Sequence, residues 1–324
     1  MQKNSGIGGQ AVMEGIMMRN NDRYSIAARK PNGEIEVKTE AYKSICPWKG
    51  VWKIPLLRGV VAFVDSLVSG MSSLMWSADI ASEEDTDEAG NPLPEKTEAE
   101  KKKDEKLWNL LMTVTVIISI GFSVVLFMLL PFWIASLLRR AGAGDVLINF
   151  CEAILRLLIF LGYMLLISRM KDIQRVFAYH GAEHKCINCI EHDLELTVEN
   201  VMKSSRQHRR CGTSFLFITV AISIVAFLIL GCFGIRSGWL KLLWRVILIP
   251  LIAGVAYEIL RYGASHEGKI INQLVKPGLA LQLLVTREPD GQMCEVAITA
   301  IEAVFDWREW QKKNRPGTAE EDER

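Results

Sequence analysis

The sequence predicts an α-helical integral membrane protein. It would have about four transmembrane helices plus an interfacial or amphipathic helix, with a small N-terminal β-hairpin and a C-terminal amphipathic helix on the cytoplasmic side. Three observations predict this. Half of the 324 residues are hydrophobic, and they gather in long runs rather than spreading evenly. Four of those runs, 107–138, 146–167, 215–233 and 240–260, reach the roughly 20 apolar residues needed to cross about 30 Å of hydrocarbon. The connector 168–214 holds eight Lys or Arg, and basic loops stay in the cytoplasm. An even number of crossings then puts both termini on that side. Arg139, Arg140, Arg236, Lys241 and Arg245, on or near the outer side, weigh modestly against this.

In chain order, residues 1–54 form an N-terminal cytoplasmic hairpin segment, in which 24–29 and 34–39 flank the turn Pro31-Asn32-Gly33. Residues 55–82 are apolar but interrupted at Arg58, Asp65, Ser69 and Ser72, which line one helical face. That pattern predicts a helix lying along the membrane or against the bundle, with a fifth span as the alternative. Residues 83–106 run from acids to Lys101-Lys102-Lys103 and read as a charged, disordered linker. The first transmembrane hairpin is 107–167, the His/Cys loop 168–214 and the second transmembrane hairpin 215–260. Residues 261–324 are cytoplasmic: 277–285 is helical, Pro289 opens an amphipathic helix to about Trp310, and a polar tail follows.

Composition excludes some functions. With 38 basic and 37 acidic residues the net charge is +1, so nothing global points to nucleic acid, and the partner that hydropathy implies is the lipid bilayer. Seven cysteines without a cleavable signal peptide read as reduced.

Four of the five histidines fall between His180 and His208. His180, Glu183 and His184 form H-x-x-E-H, the pattern of inverted zinc peptidases. On a helix, residues four apart share a face, so two imidazoles can bind one ion while Glu183 serves a bound water as base. A third ligand is needed, and the candidates are His208, Cys211, Glu191 and Glu258. A competing reading joins Cys186 and Cys189 to His208 and Cys211 in a closed structural zinc site. One helix cannot serve both, since Cys189 would point about 180° away from His180. Were the second span to continue straight, His180 would lie about 18 Å beyond the membrane while His208 stays near it, so the segment must bend. Gly181 or Ala178-Tyr179 is the expected place. Glu14, within the Met-rich patch Met13 to Met18, is a further candidate ligand. Gly8-Gly9-Gln10 matches the triplet with which release factors hydrolyse peptidyl-tRNA, a weak signal in a chain with 24 glycines. Glu152 and Arg156, four apart inside the second span, are expected to pair.

The stretches GGQAVMEGIMMR (8–19), PLLRGV (55–60), YHGAEHK (179–185), RCGTS (210–214) and GLALQLLVTREP (278–289) resemble the YqhQ-like bacterial membrane proteins. The resemblance covers nearly the whole chain apart from the charged linker and the tail. It implies a multi-pass protein of the bacterial inner membrane, a predicted metal-dependent enzyme. Its signature maps to His180, Glu183, His184, His208 and Cys211; Cys186 and Cys189 lie outside that pattern. The leading expectation is therefore a cytoplasm-facing enzyme using zinc or another divalent transition metal, most plausibly a hydrolase, with Glu183 as base. A non-catalytic scaffold or assembly factor is the alternative, and a small-molecule or ion transporter the third, disfavoured because charges within the spans are few.

Overall fold

The computed structural model describes residues 4–82, 98–233, 238–266 and 268–314. The chain forms two compact units: residues 1–83, 165–223 and 246–324 make the first, and 84–164 with 224–245 the second.

The first unit is built on an antiparallel meander of four strands, β1 (Gly8–Val12), β2 (Gly15–Asn20), β3 (Arg23–Arg29) and β4 (Ile35–Ala41). The Pro31-Asn32-Gly33 turn joins β3 and β4 as expected, with Gly33 at φ 93° accepting the left-handed backbone that glycine tolerates. The hairpin β1–β2 is an addition to the single expected hairpin; its turn is Met13-Glu14, with Glu14 itself at φ 49°. Alternation along the strands divides the buried side chains between two faces. Ile16, Met18 and Ala27 join the core with α5 (Lys171–Glu191) and α10 (Gly291–Glu302). Val12, Met17 and Ile26 pack with Leu74 and Trp76 of α1 (Leu57–Ala81). The edge strand β4 is mostly exposed and carries Glu36, Lys38 and Glu40, which protects its open edge from pairing with another chain.

Helix α1 turns its small and polar face inward: Gly59, Asp65, Gly70, Ser73 and Ser77 are buried, whereas Val64, Leu67, Val68 and Met71 are exposed. Asp65 accepts hydrogen bonds from the Tyr42 hydroxyl (2.8 Å) and the Ile45 N–H (2.9 Å), and Ser77 accepts one from the Met13 N–H. The buried serines are Ser73 and Ser77 rather than Ser72, so the polar face lies slightly off the one read from spacing.

Among the described residues, five helices are long and apolar enough to cross a membrane: Leu57–Ala81, Thr113–Arg140, Asp145–Ile167, Gly212–Cys232 and Gly238–Gly263. Helix α1 is thus the addition to the four expected runs. The second helix comprises α2 (Glu98–Val124), a π-turn at Val125–Leu129 and α3 (Leu130–Arg140). Of the expected linker, 83–97 lies outside the described residues, while 98–106 forms the first turns of α2, because its Glu and Lys residues are strong helix formers. Helix α4 (Asp145–Ile167) follows; Ser168–Met170 breaks the helix and α5 begins afresh. The bend lies there, not at Gly181, through which α5 runs without interruption. After α6 (Val198–Lys203), α7 (Gly212–Cys232) and α8 (Gly238–Ser265), helix α9 (Lys269–Val285) starts earlier than Pro277. The C-terminal helix is two helices, α10 capped by Asp290 and α11 (Trp307–Asn314).

Candidate metal centre

Helix α5 builds the site. Its His180 and His184 stand one turn apart with ring centroids 4.4 Å from each other. Cys211, immediately before α7, brings its Sγ to 3.2 Å from His180 Nε2. One ligand atom from each of His180, His184 and Cys211 lies within 4.8 Å of the others. Both histidines are oriented by backbone carbonyls: His180 Nδ1 by Val285 O at 3.1 Å and His184 Nδ1 by Arg206 O at 2.6 Å. A carbonyl only accepts, so each Nδ1 carries a proton, and in the neutral ring that leaves Nε2 as the ligating nitrogen, the arrangement of metal-ligating histidines. Two imidazoles and a thiol are a donor set that suits zinc and other borderline-soft ions.

The sequence places those carbonyls by close packing. A Cβ on Gly181 would come within 2.0 Å of Arg287 O, so only glycine lets the segment after α9 lie against α5. Arg287 N–H donates to Phe177 O at 2.9 Å, fixing that segment with Val285 O beside His180. On the other side, buried Lys185 donates to Met202 O and Ser204 O, and Asn188 to Ser205 O and Gln207 O, holding the connecting segment that presents Arg206 O. Buried Gln282 of α9 bonds both the N–H and the carbonyl of His208 and donates to Ser214 Oγ.

Glu183 is buried beside the group. Its Oε2 is 4.0 Å from His180 Nε2, and its Oε1 accepts the Gly9 N–H at 3.1 Å. Gly9 is required there, since a Cβ would sit 2.6 Å from Met17 O and 3.1 Å from Glu183 Cγ. The Gly8-Gly9-Gln10 triplet therefore has a packing role: Gly9 admits Glu183, and Gln10 lies against Gly70 of α1.

The other candidates lie elsewhere. His208 Nε2 faces Glu191 Oε2 at 3.3 Å, and its ring centroid is 5.8 Å from that of His184. Glu191 also accepts from the Ser5 N–H and hydroxyl and from Arg210, so it anchors the N-terminus to the loop. Burial alone would raise the Glu191 carboxyl, but His208, Arg210 and the Ser5 N–H together hold it below its ordinary value. Glu14 pairs with Arg175 and accepts from the Tyr179 hydroxyl. Burial first, and Glu14 next, push that hydroxyl up. Glu258 pairs with Arg58, Nε to Oε1 at 2.7 Å. The four-ligand Cys/His arrangement does not form: Cys186 is buried in the core and Cys189 is bonded to Glu195 O. Burial pushes both thiols up, Cys189 to about 11, which keeps them neutral at pH 7.

The family model described as "Protein of unknown function (DUF1385)" matches residues 54–307. The chain belongs to this family. The DUF1385 span takes in every residue of the His/His/Cys group and starts after the β-sheet. An uncharacterized protein, YqhQ of Bacillus subtilis (strain 168), is 36% identical over 293 residues, covering 90% of this chain and 89% of that one. The YqhQ-like resemblance is thereby borne out. No solved structure matches.

Proposed function

We propose that His180, His184 and Cys211 bind a divalent transition metal, zinc before others, and that the protein is a metal-dependent enzyme of the bacterial inner membrane, with hydrolysis as its reaction. The observation that carries this is the convergence of three ligand atoms within 4.8 Å while both histidine Nδ1 atoms are held by carbonyls. Three protein ligands are the usual complement of a catalytic zinc, which keeps a further position for water or substrate. Such an ion supplies Lewis acidity and a water acidified toward pKa ~7. Glu183, 4.0 Å from a ligand nitrogen, is placed to take a proton, and the Gly9 N–H orients its second oxygen.

The site faces the cytoplasm in this reading. The sheet, α5 and α10 share one unit and one core, so they occupy the same side of the bilayer. Only an even number of crossings between sheet and loop allows that. Helix α1, with its polar face on the sheet and its apolar face exposed, is the one that lies in the interface, leaving four spans. The eight basic residues of 168–214 set the side.

The deciding experiment is metal analysis of purified protein with three variants. Native protein is expected to carry about one ion per chain; His184→Ala and Cys211→Ser lose it, by roughly 10-fold or more in affinity; Glu183→Gln keeps the ion and loses function in cells. Metal-free native protein would sink the proposal. A second reading, a structural tie between loop and C-terminal segment in a non-catalytic scaffold, is favoured by the burial of His184 and Cys211. It predicts that Glu183→Gln keeps both ion and function.

A further inference from the structure

The second unit contains an ion cluster of its own. Glu152 of α4 accepts from Arg156 Nη2 at 2.9 Å, and from Arg245 of α8 at 2.7 Å through Nη1 and 2.8 Å through Nη2. Each of these three residues is only 4% exposed, and they lie inside helices long and apolar enough to cross a membrane. Glu152 and Arg245 each stand seven residues into their helices, so both are about 10 Å from the helix start. The expected Glu152–Arg156 pair is therefore a triad with two guanidiniums on one carboxylate.

Its charge does not balance. Two cations and one anion leave +1 among the described residues of the cluster, in surroundings where an unneutralised charge is costly. Phenylalanine rings temper this only in part: both guanidiniums lie over Phe227, at 4.5 and 5.1 Å from its centroid, and Arg245 is also 5.1 Å from the Phe132 ring. Arg156 Nε donates to Phe127 O, a carbonyl of the π-turn, at 3.1 Å. The buried Nε–H of Arg245 has no acceptor among the described residues. A small cavity opens at this cluster, lined by Asn149, Arg156, Phe227 and Arg245 and also by Glu152, whose carboxylate is engaged by the two guanidiniums, with room for about one water-sized group. A water would satisfy the N–H but leave the charge.

We propose that the Glu152–Arg156–Arg245 cluster is a binding site for a compact monoanion, either a halide ion or one oxygen of a phosphodiester headgroup. A single negative charge neutralises the cluster, the cavity limits its size, and Arg245 Nε–H and the Asn149 amide are the donors at hand. Lys241, buried one turn before Arg245 on α8, adds positive potential along the same helix face.

The test is thermal unfolding of full-length protein in nanodiscs. One arm uses zwitterionic lipid, with sodium chloride exchanged for sodium gluconate at constant ionic strength. The other keeps gluconate and adds phosphatidylglycerol. Saturable stabilisation in the first arm identifies a free halide, and in the second a headgroup; stabilisation in neither overturns the proposal. Arg245→Gln leaves a neutral Glu152–Arg156 pair and is expected to raise the half-saturating anion concentration by about tenfold or more. An unchanged midpoint in that variant would also overturn it. Should Arg245→Gln fail to fold, Glu152→Gln decides. It raises the cluster to +2 and is expected to bind at a lower anion concentration, so loss of the response would refute the site.

Discussion

Glu191 satisfies donors from three chain segments at once, Ser5, His208 and Arg210, from a nearly dry position at the end of α5. Its carboxyl is held below the ordinary value of 4.5 despite burial, because His208, Arg210 and the Ser5 N–H all favour the charged form. A carboxyl that titrates lower when folded than when unfolded stabilises the fold at every pH above the unfolded value. That stabilisation is lost as pH falls through the folded value. Glu191→Gln is therefore expected to cost about 2–3 kcal/mol at pH 7, since it leaves Arg210 and His208 facing a neutral group. The deficit should narrow below pH 4.5, where native protein loses the same contribution. Denaturant unfolding of both proteins between pH 3 and 7 measures it, and a deficit independent of pH would contradict the assignment. The His180–His184–Cys211 group differs in kind: its supports are the carbonyls of Val285 and Arg206, which no side-chain pattern announces. For that reason the histidine pair and Cys211 were legible in the sequence as candidate ligands, whereas the grouping of Cys211 with that pair, rather than Glu191 or Glu258, needed the geometry.

Among the elements, α1 and α8 meet at glycines. A Cβ on Gly59 would lie 2.7 Å from Tyr257 Cβ, and one on Gly254 would lie 2.8 Å from Leu56 O. Beside this crossing Glu258 pairs with Arg58 and accepts the N–H of Leu56, a residue at φ 67° that opens α1. Small residues thus allow the approach, and the ion pair fixes the start of α1. Gly254→Val is expected to destabilise the protein by about 1–3 kcal/mol, read as a lower thermal midpoint in detergent. Gly162→Val in α4 is the control, because nothing lies within 4 Å of its added Cβ, and its midpoint should not move. Equal effects from both would remove the crossing from the account. The same logic explains what could be read in advance. Strands β3 and β4 announce themselves through Asn-Gly at their turn. The β1–β2 hairpin turns on Met13-Glu14, which carries no such punctuation. The break at Ser168–Met170 likewise has neither glycine nor proline. Gly181, which looks like a hinge, is a close-approach glycine beside Arg287 O.

For the whole molecule, hydropathy alone leaves the topology open, because five helices qualify as spans and an odd number would separate the termini. Packing supplies the missing constraint. Strands β2 and β3, helix α5 and helix α10 bury one shared core, with Ile16, Met18, Tyr179, Ile187, Val296 and Ile301 all nearly inaccessible. Residues in one core cannot be divided by a bilayer, so the proposed topology has an even number of crossings between β4 and α5, and again between α5 and α10. Helix α1 exposes Val64, Leu67, Val68 and Met71 and buries mainly small and polar residues, Gly59, Asp65, Gly70, Ser73 and Ser77, a pattern that fits the proposed interfacial placement. Short epitopes inserted at Gly33, in the β3–β4 turn, and at Gly142, between α3 and α4, together with a C-terminal tag, separate the possibilities in spheroplasts. Only the Gly142 epitope is expected to bind antibody before permeabilisation, with all three binding afterwards. If α1 instead crosses, the Gly33 epitope lies outside with Gly142 and binds in intact spheroplasts, and the shared core would then have to form some other way.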